Sequence, residues 1–317
     1  MRIPFSLYDA FAIRPFTGNV AGVVVTESEL PVPLMHAMAR ELAAPTTGFV
    51  VASGARICSV RYFTPREEIN TCGHVTVAVA VDLTRRGLWP VDEGPSAAFV
   101  APTRAGDVPV NVRRSDGRLW VELTYAPRWV DDGEPLRLEI EAVLRVQTEA
   151  QSPIDVFATG LRHLVVRVDS TDALAGLQLD HAAIERLGGL AKIDTVCPFA
   201  MAAPSTLRMR DLTAPIGDIE EPASGTTASA LATYAVRHGL MNAMRTVVIE
   251  QGVEMGRPSR IEVAVDAEAG VARVRGEAIP TINGTFVIED DVAVSPDGVG
   301  FVAHDAGPSR LGMRATR

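Results

Sequence analysis

The sequence predicts an α+β protein built from two halves of similar architecture. Many β-branched, often alternating segments bounded by Gly, Pro and Asp indicate strands; examples are PFSLYDAFA, GFVVAS, RLWVELTYA and RIEVAVDA. Helices are fewer, and the predicted ones are PVPLMHAMARELA, HVTVAVAVDLTRRG, LDHAAIERLGG and TTASALATYAVRHG. Many strands with a few scattered helices are typical of the α+β class.

An internal repeat predicts the two halves. The segments RYFTPREEINTCGHVTVAVAVDLTRRG and RMRDLTAPIGDIEEPASGTTASALATYAVRHG both pass from a strand through a Pro-containing loop and an acidic pair into an Ala-rich helix. The aligned positions are Arg61 with Arg208 or Arg210, Cys72 with Ser224, and Gly73 with Gly225. If the two helix N-termini face each other, their free backbone N–H groups and positive dipole ends would suit a carboxylate or another small anion.

Composition excludes several classes of protein. The 317 residues suggest about two domains, and the net charge of −9 without a run of Lys or Arg argues against a nucleic-acid binder. The sequence has no run of 18 apolar residues, so no membrane span is predicted, and the N-terminus does not have the pattern of a signal peptide. Three widely spaced cysteines (Cys58, Cys72 and Cys197) fit a reducing cytoplasm and argue against a disulfide framework or a metal site.

The domain boundary is predicted in the polar, Pro-containing segment PRWVDDGEPLRLE. We expect an N-terminal domain at residues 1–125, a C-terminal domain at 126–305 and a flexible tail at 306–317.

The segment NTCGHV places a cysteine and a histidine at the start of the first repeated helix. A helix N-terminus lowers a thiol pKa, so Cys72 is a candidate reactive thiolate or base; the alternative is a small residue chosen for packing. His74 is a candidate general acid or base, or a donor to an anion, and the alternative is a capping or buried core histidine.

The segment EEPASGTT holds the corresponding candidates at the second helix start. Glu221 is a candidate acid/base carboxyl, although a carboxylate before a helix can also act only as a cap. Gly225 and Thr226 are candidates for an anion cradle made of backbone N–H groups, the alternative being an ordinary N-cap.

Five segments give the chain a resemblance to the phenazine-biosynthesis (PhzF-like) isomerase and epimerase family, within the diaminopimelate epimerase and proline racemase superfamily. They are DAFAIRPFTGNVAGVVV, RYFTPREEINTCGHVTVAVA, GLRHLVVRV, EEPASGTTASALATY and IEQGVEMGRPSRIEVAV, in order over residues 9 to 265. The resemblance implies two pseudo-symmetric domains, each a curved, mainly antiparallel sheet or barrel wrapped around a central helix. It also implies a cleft between the domains that binds a small, often cyclic, amino acid by its carboxylate.

The resemblance implies further a proton transfer without cofactor or metal, commonly in a homodimer. The residues that would line the pocket are Asn19, Gly73, His74, Glu221, Gly225 and Thr226, with Ser224 in the same cradle. One departure is important: the glutamate that the family usually carries in a motif like S-E-T-x-F-V corresponds here to Thr46 of APTTGFV. A threonine cannot shuttle a proton at neutral pH, so Thr46 would only bind substrate.

The sequence therefore leads to one main hypothesis and two alternatives. The main hypothesis is a cytoplasmic, cofactor-independent isomerase that moves a proton and a double bond on a small cyclic amino-acid-like carboxylate. Its setting would be secondary metabolism, such as antibiotic biosynthesis, with a substrate of the pyrroline-carboxylate or dihydro-hydroxyanthranilate type. His74 and Glu221 would be essential, with Cys72 as the additional base. The alternatives are a hydroxyproline-type dehydratase or epimerase, and a non-catalytic binding protein that has lost the family's glutamate.

Overall fold

The computed structural model describes residues 1–54, 56–213, 219–243, 245–288, 292–295 and 298–301. The tail expected at 306–317 lies outside the described residues. The helices are α1 Val32–Leu42, α2 Gly73–Arg85, α3 Arg137–Leu144, α4 Thr171–Ala175, α5 His181–Ala191 and α6 Gly225–Arg237, with a 3-10 turn at Glu134–Leu136 before α3.

The strands fall into three sheets. Along the first part of the chain they are β1 Arg2–Ala10, β2 Asn19–Thr26, β3 Thr46–Ser53, β4 Arg56–Phe63, β5 Glu68–Ile69, β6 Ser96–Thr103, β7 Gly106–Ser115 and β8 Arg118–Tyr125. The later strands are β9 Arg128–Asp132, β10 Asp155–Ala158, β11 Arg162–Arg167, β12 Thr195–Ala203, β13 Thr206–Met209, β14 Asp211–Thr213, β15 Glu220–Glu221, β16 Val247–Gln251, β17 Ser259–Asp266, β18 Val271–Gly276, β19 Ala278–Val287, β20 Val292–Ser295 and β21 Gly298–Phe301.

Two large sheets organise the molecule. The first has the order β19-β1-β2-β3-β4-β5, and the second has the order β6-β7-β8-β18-β17-β16-β13-β12-β11-β10-β9, with β14 on β12 and β15 on β14. Most pairs are antiparallel, and the parallel ones among the described strands are β2 with β3, β11 with β12, and β13 with β16. The sheets exchange strands along the chain, because β8 pairs with β18 and β19 pairs with β1.

Helices α2 and α6 are the central elements of the two halves. Every residue of α2 from His74 to Thr84 is buried, and α6 is buried along most of its length. Both helices are rich in Ala and other small or β-branched residues, which allow a sheet to approach closely on more than one side; α2 packs against β1, β2, β3 and β8, and α6 against β11, β17 and β18. A helix that is apolar all round belongs in the interior, so the sheets wrap around it. The predicted α+β fold with two helix-centred halves is confirmed.

The repeat also survives in the details of the fold. The strand pairs β4–β5 and β14–β15 each lead into the central helix of their half. Arg61 binds Glu68 on the first pair, and Arg210 binds Glu220 on the second. Arg210, rather than Arg208, is therefore the structural counterpart of Arg61.

The segment predicted as a boundary is more ordered than its composition indicates. It contains β9, the 3-10 turn and the beginning of α3. All five residues of β9 are exposed, so this edge strand lacks the alternation by which a half-buried strand is recognised. The division at residues 125 and 126 stays a prediction.

Candidate active site

The N-termini of α2 and α6 meet at one place, which we call the seam. Cys72 and Ser224 are the N-cap residues, and both have the extended backbone that such a position requires (φ −151° and −136°). Ser224 caps its helix by accepting a hydrogen bond from the Thr227 amide at 3.3 Å, whereas the Cys72 side chain makes no cap bond. A Cβ built on Gly73 would lie 2.5 Å from the Tyr125 hydroxyl oxygen, and one on Gly225 would lie 3.2 Å from it. Both helix starts therefore face the same hydroxyl group.

Asn19 joins the two halves at this place. Its Nδ2 donates to Glu221 Oε2 at 2.7 Å and to the Ala223 carbonyl at 3.0 Å, and it lies 3.4 Å from His74 Nδ1. Two acceptors on one side of the amide determine which atom is the nitrogen. The side chain is fully buried, and its Oδ1 has no hydrogen-bond partner among the described residues.

A tight turn delivers Asn19 to the beginning of β2. Gly18 has φ +67°, and a Cβ there would lie 2.3 Å from the Ala10 carbonyl oxygen, so this position requires glycine. Arg257 secures the turn by donating to the Gly18 carbonyl at 2.8 Å and to Asp9 at 2.7 Å. The FTGN and GRPS segments are thus in contact, and Arg257 is a positioning residue that the sequence analysis did not single out.

Cys72 and His74 form a close pair of uncharged groups. Cys72 Sγ lies 3.4 Å from His74 Nδ1. Burial lowers the pKa of His74 to about 4, with a hydrogen bond to the Val20 carbonyl opposing the change. Burial, together with the charge of Glu221, raises the pKa of Cys72 to about 12. These shifts favour the thiol over the thiolate that the helix start alone predicts, because desolvation outweighs the helix dipole, and the role of Cys72 as a base stays a prediction.

Thr46 lies beside this pair, at the first position of β3. It is buried, and a hydrogen bond from its side chain is one of the influences that oppose the rise in the Cys72 pKa. Strand β3 runs parallel to β2, and Thr46 is paired with Ala21, two residues after Asn19. The structure therefore brings Thr46 and its hydroxyl group into the candidate site.

A buried polar network lies behind the second helix start. Thr227 Oγ1 donates to Asp211 Oδ2 at 2.8 Å and lies 3.0 Å from Ser224 Oγ and 3.2 Å from His163 Nδ1. Burial raises the pKa of Asp211 to about 6 and lowers that of His163 to about 3. Sequence reasoning did not select either residue as a candidate. Asp211 lies in the repeated segment and His163 in GLRHLVVRV, but neither segment reveals that β14 and β11 bring their side chains to the second helix start.

Gln251 positions Glu221 and the second helix start together. Its Nε2 donates to the Glu221 carbonyl at 2.6 Å, and its Oε1 accepts from the Ser224 amide at 3.0 Å. The side chain is fully buried. The QG-x-x-MGRPS motif was the available signal for this residue, although the motif does not reveal the contact.

The structure brings the predicted site residues together in or beside the seam. They are Asn19, Thr46, Cys72, Gly73, His74, Glu221, Ser224, Gly225 and Thr226, the last with its hydroxyl 3.1 Å from Ser224 Oγ. Within the described ranges, no cluster of three or more His, Cys, Asp or Glu residues could hold a metal ion. None of the described helices is long and apolar enough to cross a membrane.

The chain matches one family model and is similar to several known proteins. The family model described as phenazine biosynthesis-like protein (PhzC-PhzF) matches residues 8–284. A trans-2,3-dihydro-3-hydroxyanthranilate isomerase of Pseudomonas aeruginosa is 32% identical over 263 residues, covering 81% of this chain and 88% of the relative. An uncharacterized isomerase of Bacillus subtilis is 30% identical over 290 residues, covering 89% and 97% respectively.

Solved structures share the fold at lower identity. A phenazine biosynthesis protein of the PhzF family from Bacillus anthracis has a TM-score of 0.79 at 23% identity, covering 91% of this chain and 100% of the other. A hydroxyproline epimerase from Agrobacterium vitis has a TM-score of 0.60 at 14% identity, covering 91% and 93%. The chain therefore belongs to the phenazine biosynthesis-like PhzC-PhzF family, and it is an isomerase.

Proposed function

We propose that the chain is a cofactor-independent isomerase that moves a proton, and with it a double bond, on a small cyclic amino-acid-like carboxylate. The observation that carries this proposal is the cluster of Asn19, His74 and Glu221, which joins groups of both halves within hydrogen-bonding distance at the seam. Acid/base groups concentrated where two helix N-termini meet are suited to proton transfer on a bound anion.

The substrate carboxylate would bind to the free backbone N–H groups at the starts of α2 and α6, around Gly73, Gly225 and Thr226. Asn19 supports an amino-acid-like substrate, because its buried Oδ1 has no donor among the described residues. A buried acceptor without a donor costs about 1–3 kcal/mol, and a substrate N–H group placed there would remove that cost.

The proton would be handled by His74 and Glu221. The lowered pKa of His74 leaves its imidazole neutral and able to accept a proton at neutral pH. One of the two groups removes a proton from a substrate carbon, the C–H electron pair becomes the shifted double bond, and the proton returns at another carbon. Cys72 is the additional base only after its S–H proton has passed to His74 Nδ1, 3.4 Å away. Thr46 binds without taking up a proton.

Two substrate classes fit this chemistry. The Pseudomonas aeruginosa relative is named for trans-2,3-dihydro-3-hydroxyanthranilate, a cyclic amino acid, and this type of compound is the first candidate. Pyrroline carboxylates are the second, and either would place the protein in secondary metabolism. A hydroxyproline-type dehydratase or epimerase is the alternative reaction. The substitution at Thr46 favours another alternative, a family member that binds its ligand without turning it over.

Deuterium uptake tests the proposal. The protein is incubated in D2O with dihydro-hydroxyanthranilate, pyrroline-carboxylate, hydroxyproline and proline compounds, and the mass and NMR position of incorporated deuterium are followed. We expect uptake with one of them, and a loss of about 100-fold or more in Glu221→Gln and His74→Asn, as is usual when a general acid or base is removed. The matched control for His74 is His181→Asn, since His181 is an exposed histidine on a surface helix.

The Cys72→Ser variant tests the additional base, with Cys58→Ser as its control at an exposed cysteine. Full activity in Cys72→Ser would show that Cys72 takes no part in the mechanism and that His74 and Glu221 transfer the proton without it. Binding of a compound without deuterium uptake would favour the non-catalytic alternative, and neither binding nor uptake would contradict the whole proposal. The homodimer and the cytoplasmic location stay predictions, the first of which sedimentation equilibrium checks directly.

A further inference from the structure

The chain has four tyrosines, and Tyr125 differs from the other three in the hydrogen bonding of its hydroxyl group. The hydroxyl of Tyr8 donates to Asp82, that of Tyr62 is bonded to Thr76, and that of Tyr234 donates to the Pro153 carbonyl. None of the hydrogen bonds of the described residues uses the hydroxyl of Tyr125. A buried tyrosine hydroxyl usually finds a partner, whereas the half-buried Tyr125 leaves its hydroxyl open to a ligand or to water.

Tyr125 is also the tyrosine that occupies the seam. It is the last residue of β8, where the chain leaves the first half of the molecule. Its hydroxyl lies so close to both helix starts that a Cβ at Gly73 would be 2.5 Å from it and a Cβ at Gly225 would be 3.2 Å from it. The ring of Phe11 approaches Gly225 from beside it, at 3.6 Å from the same built Cβ.

The Tyr125 hydroxyl gives Gly73 a role beyond exposure of the backbone, and it leaves little room for a side chain at Gly225. An alanine at Gly73 would collide with the Tyr125 hydroxyl, because 2.5 Å is well below van der Waals contact. The two glycines make room for one oxygen atom beside both helix starts.

We propose that Tyr125 is a substrate-binding residue whose hydroxyl donates a hydrogen bond to the carboxylate held between the two helix starts. This inference rests on the proposed anion site and adds a side-chain donor to its backbone N–H groups. The buried, unpartnered Asn19 Oδ1 in the same cluster is independent support for a ligand, because it also lacks a partner until something binds.

The electrostatics of the seam suit a neutral donor. Burial raises the pKa of the Tyr125 hydroxyl, and the charge of the Cys72 thiolate form would raise it further. The hydroxyl therefore keeps its proton throughout the neutral range and offers an O–H to an anion without adding a negative charge beside it.

Calorimetric titration of Tyr125→Phe tests this role. The probes are pyrrole-2-carboxylate and 3-hydroxyanthranilate, two planar ring carboxylates, and pyrrole-2-carboxamide, a neutral analogue of the first. Because a hydrogen bond to a charged group is stronger than one to a neutral group, we expect the variant to bind the carboxylates about 10-fold or more weakly than the wild type. The carboxamide should lose about threefold or less.

Tyr8→Phe is the matched control, since Tyr8 also contacts α2 but at Asp82, far along the helix from Gly73. It loses a hydrogen bond in the free protein, so its thermal midpoint should fall while its affinity for the probes stays unchanged. Tyr125→Phe should show the opposite pattern, with an unchanged midpoint and a weakened carboxylate complex. A purely structural role for Tyr125 would lower the midpoint instead.

The outcomes separate this inference from the proposed function. If the wild type binds a carboxylate probe and Tyr125→Phe binds it equally well, the role of Tyr125 is contradicted and the anion site stands. If the wild type binds neither carboxylate, both the anion site and the role of Tyr125 are contradicted. Equal losses for the carboxylate and the carboxamide would show that Tyr125 acts through shape and not by donating to the charge.

Discussion

The two helix starts have the same backbone and different chemistry. The start of α2 has Cys72 without a side-chain cap bond and His74 within 3.4 Å of the thiol. The start of α6 has Ser224, a hydroxyl that caps its own helix and is connected to a buried network through Thr227. The first half thus places two titratable side chains, Cys72 and His74, at its helix start. The second half contributes the Glu221 carboxylate from a strand and a cradle of hydroxyl and N–H groups.

The comparison teaches how a repeated scaffold can support a directional reaction. Two identical helix starts would present the same acid/base groups to both faces of a substrate, as suits a racemase. Unequal starts present a proton acceptor to one face and a hydrogen-bonding surface to the other, as suits a one-sided isomerisation. Four experiments can test this difference between the two halves.

The largest effect is expected at the ion pairs that precede the two helices. The side chains of Arg210 and Glu220 are 7% and 4% exposed, whereas those of Arg61 and Glu68 are both 11% exposed. Arg210→Met would leave the Glu220 charge buried without its partner and should lower the free energy of unfolding by about 3–5 kcal/mol.

Arg61→Met should cost about half as much, because Arg104 remains 2.9 Å from Glu68 and still neutralises it. Urea denaturation of both variants at pH 7 gives the two values. Equal losses of unfolding free energy in Arg210→Met and Arg61→Met would show that the two ion pairs are equally important for stability, and would contradict the expected difference between the halves.

The second effect is on the pH dependence of stability and comes from the network behind α6. The pKa of Asp211 is raised from 3.8 to about 6. Its favourable contribution to the free energy of unfolding is therefore fully present below pH 3.8 and is lost as the pH rises through 6. His163 has its pKa lowered from 6.5 to about 3, so its contribution is present above pH 6.5 and is lost as the pH falls towards 3. The two contributions oppose each other between pH 4 and 6.

Asp211→Asn removes the Asp211 contribution and leaves that of His163. Relative to the wild type, the variant should gain about 3 kcal/mol of unfolding free energy between pH 4 and pH 7, which is the value that corresponds to the rise in the Asp211 pKa. Urea denaturation across this range measures it, and Asp107→Asn, at an exposed aspartate, is the control. Parallel pH profiles for Asp211→Asn and the wild type would show that Asp211 titrates normally.

The third effect is on activity and concerns the residue that connects the halves. Asn19→Ala removes the donor to Glu221 and to the Ala223 carbonyl, so the side chain that lies between Glu221 and His74 no longer positions the carboxylate. We expect kcat/KM for the exchange reaction to fall about 100-fold, as for the loss of a group that orients an acid or base. Near-normal kcat/KM would mean that contacts other than the Asn19 amide hold Glu221 in position.

The smallest effect is at the N-caps themselves. Ser224→Ala removes a cap bond to the Thr227 amide and should lower the free energy of unfolding by about 1 kcal/mol. Cys72→Ala removes no cap bond, and its cost should stay within about 0.5 kcal/mol. Thermal or urea unfolding of the two variants gives a direct comparison, and a larger loss at Cys72 would contradict the difference between the starts.

Much of the fold was predictable because it rests on local patterns. The helices at Val32–Leu42, Gly73–Arg85, His181–Ala191 and Gly225–Arg237 were all predicted from their apolar periodicity and their end signals. The repeat also predicted that two glycine-started helices would be equivalent. The strand at Arg128–Asp132 was not predicted, since an exposed edge strand has no buried face to produce alternation.

The sequence by itself determined the family, the two helix-centred halves and the residue types at each helix start, because motifs and periodicity are properties of neighbouring residues. Only the tertiary structure decided which groups meet. Asn19 and Glu221 are 202 positions apart, and their hydrogen bond exists because the two halves face each other. The pKa of Cys72 depends on the tertiary structure in the same way: the helix start alone favours a thiolate, whereas desolvation and the nearby Glu221 charge raise the pKa of the thiol. Desolvation depends on everything packed around a group, and no local pattern records it.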